Sequence, residues 1–428
     1  MNDNNRAIIN KINKRGNGDT LKVIIIMLIL MIAGGFLLWF IGGGAGGFAP
    51  VSLQQEDDDE GDNQANQPET TEPTNIASTT EPIEDDPALA SIGINYQLIG
   101  GDFELPLYGA TGWVAAATNL RSEPLPNAPT LLPMPVGQSF VILETRGEWW
   151  YVEANPAISG WVDRRRCFIN IPDVIPSIIY LNTNASASVM MSYGYPIPNI
   201  TGYRLYNAHD FNERFGRYEY IIPGQYTLAR ALFIAQQHVL ANGETLVVNE
   251  VFRPFSVQQD VVRHLQALIN QDSRIRAYIN QGPWHIGWFI ATGVSGHQRG
   301  SSIDLSIATI LSYEYRQVGD FRYKHIYEYR MFPTTSRIHE LGPWAAIVYT
   351  PRSITANDIL RGNITLHRDV TEGVRRLQLA MATAGFNLLS SEWWHFDHPE
   401  SSQIGNAMGM RGQFYTEESL SWPPVYRG

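Results

Sequence analysis

The chain has a single cysteine, Cys167, in 428 residues, which excludes an intramolecular disulfide. A secreted eukaryotic domain of this size more often carries several, so the expectation is a bacterial cell-surface protein. Lysine and arginine are missing altogether between Lys22 and Arg121. Nothing in the charge distribution resembles a nucleic-acid footprint. The net charge of −11 is mostly local, because twelve acids and no base lie between Glu56 and Asp86, and the remainder is nearly neutral. There is no H-E-x-x-H helix and no internal repeat. The pairs near Asp210 (HDFNERF) and at Ile338-His339-Glu340-Leu341 supply His and Glu without that spacing.

One long apolar run is present. Val23 to Ile41 carries no charge and is long enough to cross a hydrocarbon layer of about 30 Å. A secretory leader has a shorter apolar stretch and a small-residue cleavage site, so an uncleaved anchor is expected. Arg6, Lys11, Lys14, Arg15 and Lys22 precede the run, which puts residues 1–22 in the cytoplasm and everything after the span outside. Residues 42–110 are rich in Gly, Gln, Asn, Thr, Pro and acid. Such a segment cannot offset its ordering entropy by burial and is expected to be a solvated tether.

Residues 111–171 change character, with short runs such as QSFVILETRGEWWYVEA and SGWVDRRRCF alternating apolar and polar positions between prolines and glycines. This predicts a small all-β unit. Asn119-Leu120-Arg121-Ser122, Gly147-Glu148-Trp149-Trp150-Tyr151-Val152 and Gly160-Trp161-Val162 resemble a bacterial SH3-like domain, and that resemblance implies attachment to cell-wall material.

Residues 172–428 read as mixed α and β. Helical spacing is expected over Gln225 to Leu240, from Ser256 with Val261, Leu265 and Leu268 on one face, and over Val370 to Ala384 before Gly385. Thr245 to Phe252 reads as a buried strand.

Within this region, SGHQRGSSIDLSI holds His297 and Asp304 seven residues apart, and SSEWWHFDH holds Glu392 three residues before His395. A catalytic zinc takes three protein ligands and leaves one position open. Two histidines and an aspartate can fill that role while an unligated glutamate moves a proton. The order S-x-H-x-x-G-x-x-x-D followed by E-W-W-H resembles the zinc D-alanyl-D-alanine peptidases, the group that holds the carboxypeptidases and dipeptidases of vancomycin resistance. The likeness runs over most of Ile175 to Pro399. It implies an α+β peptidase fold of the type shared with Hedgehog domains, with Zn2+ on His297, Asp304 and His395 and with Glu392 as catalytic base. Arg253, in Val251-Phe252-Arg253-Pro254, matches an arginine expected at the developing oxyanion, and Ser295 is a weaker candidate for substrate contact or for orienting His297.

The chain departs from the dipeptidase pattern at Leu341-Gly342-Pro343-Trp344-Ala345-Ala346, where the acid that holds a free ammonium group is missing. The expected substrate is therefore a peptidoglycan stem peptide losing its terminal D-alanine, with the cell wall and the membrane as partners. The alternatives are a D-Ala-D-Ala dipeptidase, a peptidoglycan endopeptidase and an inactive wall-binding scaffold.

Overall fold

The computed structural model describes residues 103–154, 158–181, 189–190, 195–196 and 209–413. The basic head, the apolar span and the tether up to residue 102 lie outside them. Among the described residues, no helix is long and apolar enough to cross a membrane.

Seven strands follow one another from Thr111 to Asn170. They are β1 (Thr111–Val114), β2 (Thr118–Arg121), β3 (Thr130–Met134), β4 (Ser139–Arg146), β5 (Trp149–Ala154), β6 (Ile158–Asp163) and β7 (Cys167–Asn170). Their alternation works as the sequence suggests. In β5 every second residue is buried, so Trp150, Val152 and Ala154 face the core and Trp149, Tyr151 and Glu153 do not. Trp150 is fully buried, while Trp161 packs against Tyr151 and carries the Arg146 guanidinium 4.7 Å above its ring.

The remaining strands are β8 (Ile179–Tyr180), the hairpins β9–β10 (Val189–Met190 with Tyr195–Pro196) and β11–β12 (His209–Asn212 with Arg217–Tyr220), β13 (Pro223–Gly224), β14 (Glu244–Glu250), β15 (Ser302–Val318), β16 (Phe321–Met331), β17 (Ser353–Ile354), β18 (Asn387–Leu389) and β19 (His395–Asp397). The helices are α1 (Tyr226–Leu240), α2 (Phe255–Gln271), α3 (Ser273–Ile279), α4 (Ala356–Leu360), α5 (Glu372–Thr383) and α6 (Pro399–Ala407). The second sheet has the order β17-β18-β19-β15-β14-β8, with β16 also on β15. It is antiparallel except where β8 runs parallel to β14. Helices α1 and α5 pack against each other, α1 on β14 and α5 on β15 and β18. Each has a reason to stop. Gly243 beyond α1 and Gly385 beyond α5 take φ of 70° and 88°, which a side chain disfavours. Thr371 caps the start of α5 by accepting from Val374 N–H.

Two features differ from the sequence reading. The tether was expected to run to residue 110, yet Leu105 and Ala110 are buried, and Leu105 N–H donates to Val174 C=O at 3.2 Å. Glu104 accepts from Ser177 N–H and Oγ and from Gln237 Nε2. Phe103, Leu105 and Leu107 are three apolar residues at alternate positions, too short a run to stand out beside fifty residues of polar sequence. The second feature is at residue 171, the expected boundary between the two regions, where the first sheet does not end. β13 continues the first sheet beyond β7, with Pro223 opposite Asn170 and Gly224 opposite Ile169, so the sheet has eight strands in the order β13-β7-β1-β4-β5-β6-β2-β3. One hydrophobic core then runs from Phe140 and Trp150 through Ile171 and Val174 to Leu228, Leu246 and Phe396.

Candidate metal centre

Strand register builds the site. On β14, β15 and β19, Glu250 stands opposite Asp304 and Asp304 stands opposite His395, so three ionisable residues share one rung of the sheet. His297 reaches the same point from the loop before β15. It sits in a short 3-10 turn, His297–Arg299, closed by Gly300 at φ 62°, where a Cβ would collide with the Phe168 ring. Gly296 is needed for the same close approach, because a Cβ there would collide with Ser302 Oγ.

Three acceptor atoms converge. His297 Nε2 lies 3.2 Å from His395 Nδ1 and 3.4 Å from Asp304 Oδ1, and His395 Nδ1 lies 3.0 Å from Asp304 Oδ1. All three residues are buried. The outer nitrogens fix the tautomers. His297 Nδ1 faces Val251 C=O at 2.8 Å, and His395 Nε2 faces Asp397 Oδ1 at 3.3 Å, so each of these outer nitrogens must be the N–H donor. In the neutral imidazoles the inner nitrogens are then both lone pairs, as is the carboxylate oxygen. Three lone pairs can share this space only with a cation among them, either a proton on His395 Nδ1 or a metal ion. Ligand bonds of about 2.0–2.1 Å in tetrahedral array put ligand atoms roughly 3.3 Å apart, which is the size of this triangle. His297, Asp304 and His395 could therefore hold a metal ion.

The charges answer one another. Burial works against ionising Asp304, but His297, His339 and His395 around it hold its carboxyl well below the usual range. Burial also opposes charge on His395, yet Asp397 and Asp304 raise it well above the ordinary imidazole value. Glu392 is the opposite case. Burial dominates and pushes its carboxyl up to about 8, against the pull of His395 and Arg253. The EWWH turn that carries it is pinned on several sides: Trp393 N–H donates to Ala345 C=O, Trp393 C=O accepts from Gln378 Nε2, and Trp394 C=O accepts from Leu305 N–H.

The structure brings every predicted residue to this region, but two of them have contacts of a different kind from those expected. Arg253 is buried and forked onto Glu250, with Nε–Oε1 at 2.9 Å and Nη2–Oε2 at 2.5 Å, and its Nη1 donates to Gln258 Oε1 at 2.6 Å. Its Nη2 also stands 3.6 Å from Asp304 Oδ2. Ser295 N–H and Oγ both donate to Gln298 Oε1, and Gln298 Nε2 donates to Arg253 C=O, so Ser295 braces the loop beside His297.

Two residues escaped the sequence reading. His339 is buried with Nε2 3.1 Å from Asp304 Oδ2, and Glu250 forms a second trio with Asp304 and His339. The only signal for His339 in the sequence is the His339-Glu340 pair, which lacks helical metal-ligand spacing. No family model matches the chain, and no curated protein matches it.

Proposed function

We propose that the chain is a membrane-anchored, extracytoplasmic zinc metallopeptidase acting on peptidoglycan stem peptides as a D-alanyl-D-alanine carboxypeptidase. The observation that carries this reading is the closed triangle of three acceptor atoms beside a buried glutamate. That combination brings a candidate cation site and a proton carrier together among buried side chains. Zinc bound there would supply Lewis-acid polarisation of the scissile carbonyl and would acidify the attacking water.

The chain's own residues do the rest. Glu392 takes a proton from the attacking water and returns it to the departing D-alanine amine. Its burial, which lifts the carboxyl to about 8, makes it a competent donor in the second half of that exchange. Arg253 contributes a fixed positive charge that acts on Glu392 and, on this reading, on the oxyanion, while Glu250 and Gln258 hold its fork in place. The loop at Leu341–Ala346 presents Trp344 to solvent and offers no acid at the position where a dipeptidase of this type needs one, which favours a substrate whose amino side continues into a longer peptide.

The test is mass analysis of a purified pentapeptide stem after incubation with the protein, with and without chelator. Loss of one alanine residue, abolished by chelation, is expected. In Glu392→Gln that activity falls by about 10²–10⁴-fold while zinc stays bound. Release of a D-Ala-D-Ala dipeptide, internal cleavage of cross-linked stems, or full activity in Glu392→Gln would each sink the assignment.

A further inference from the structure

Asp304 has two carboxylate oxygens, and only Oδ1 belongs to the triangle. Oδ2 points the other way, towards His339 Nε2 at 3.1 Å and Arg253 Nη2 at 3.6 Å. A carboxylate free to swing could offer both oxygens to one ion, or rotate Oδ1 out of the triangle.

We infer that His339 is a positioning residue of the metal centre: by donating from Nε2 to Asp304 Oδ2 it turns the carboxylate so that Oδ1 alone faces a bound divalent cation. This rests on the triangle taking a metal ion, and not on which peptide bond is cleaved.

Three independent constraints aim the imidazole. Its side chain is 4% exposed, so it cannot swing into solvent. Its ring stands edge-on to Trp394, with centroids 6.0 Å apart at 90°, and Trp394 immediately precedes the ligand His395. Its backbone lies at φ 60°, alone among the described non-glycine residues, a left-handed conformation that a side-chain-bearing residue disfavours. Strain of that kind persists only where the surroundings over-determine it, and here they fix the carboxylate oxygen opposite the metal triangle. The second trio, Glu250, Asp304 and His339, already receives its positive charge from Arg253, whose guanidinium forks onto Glu250. The cation facing Oδ2 is thus a side chain, and the metal belongs on Oδ1.

The test compares His339→Asn with His339→Gln in the full chain. Asparagine accepts φ 60°, but its amide stops short of Asp304, whereas glutamine carries an N–H at the place of Nε2. Zinc affinity is read by competition with a chromophoric chelator, and ligand geometry by the absorption spectrum of the cobalt(II)-loaded protein. His339→Asn is expected to weaken zinc binding by about 10–100-fold and to change the cobalt spectrum. His339→Gln is expected to stay close to wild type in both. Wild-type affinity and an unchanged spectrum in folded His339→Asn would overturn the inference, as would equal losses in both variants. If His339→Asn does not fold, His339→Gly takes its place with the same two outcomes. Neither readout uses peptide hydrolysis, so a protein that binds zinc as expected but cleaves no stem peptide refutes the proposed function and leaves this inference standing.

Discussion

Glu392 must accept a proton, yet burial lifts its carboxyl to about 8 and keeps it largely protonated at neutral pH until positive charge arrives. His395 is in the mirror position, since its neighbours Asp397 and Asp304 hold a proton on it that a metal ion has to displace. Both groups bind a proton without metal and give it up with metal. Zinc binding at pH 7 should therefore release about two protons, with affinity rising with pH through the neutral range. Calorimetric titration in two buffers of different ionisation enthalpy measures that number, and a value near zero would mean that neither residue answers to the metal. His297 with Asp304, and Glu392 with His395, were legible at this scale because each pair lies within ten residues, where spacing carries information. His339 was not, because its role depends on a left-handed backbone turn and on a partner 35 residues away.

At the scale of elements, α6 carries a proton-linked feature. His398 caps the helix, its Nδ1 accepting from Ser401 N–H and standing 2.8 Å from Ser401 Oγ. Burial pushes its imidazole down to about 4. The folded state then resists a proton that the unfolded chain takes up near pH 6.5. The stability present above about 6.5 is lost as pH falls towards 4, by up to roughly 3 kcal/mol. In His398→Asn, which retains a capping side chain, the urea midpoint measured with chelator present should fall less between pH 7 and 4 than in wild type. An identical fall in both proteins would remove His398 as the cause. Helices α1, α2 and α5 and strand β14 were readable from periodicity to within a few residues, while the shorter α3, α4 and α6 were not. The long β15–β16 hairpin was not either. Beyond Ile310 the side chains of β15 stay largely exposed on both faces, Tyr313 and Tyr315 as well as Glu314 and Arg316, and β16 buries only Tyr323 and Ile326, so little core patterning marks it.

For the whole molecule, the consequence lies in how the N-terminal sheet joins the metal centre. Thr111 N–H and Oγ donate to Asp173, β13 pairs with β7, and Phe168 on β7 packs on Phe252, next to Arg253, and on Gly300, just after His297. The N-terminal sheet thus buttresses the loop that carries His297. The sequence suggested a boundary at 171 because β13 is only the dipeptide Pro223-Gly224, which has no signature of its own. A chain starting at residue 172 should accordingly lose cooperative thermal unfolding together with zinc binding. A sharp transition at the wild-type temperature would show instead that the two regions fold separately.

The claim on which everything else depends is that His297, Asp304 and His395 hold one metal ion. Anomalous X-ray scattering collected above and below the zinc edge from crystals of the zinc-loaded protein tests it directly. The account predicts one peak within about 2.0–2.2 Å of His297 Nε2, Asp304 Oδ1 and His395 Nδ1, absent in Asp304→Asn. A peak located elsewhere, or none at this triangle, would contradict it.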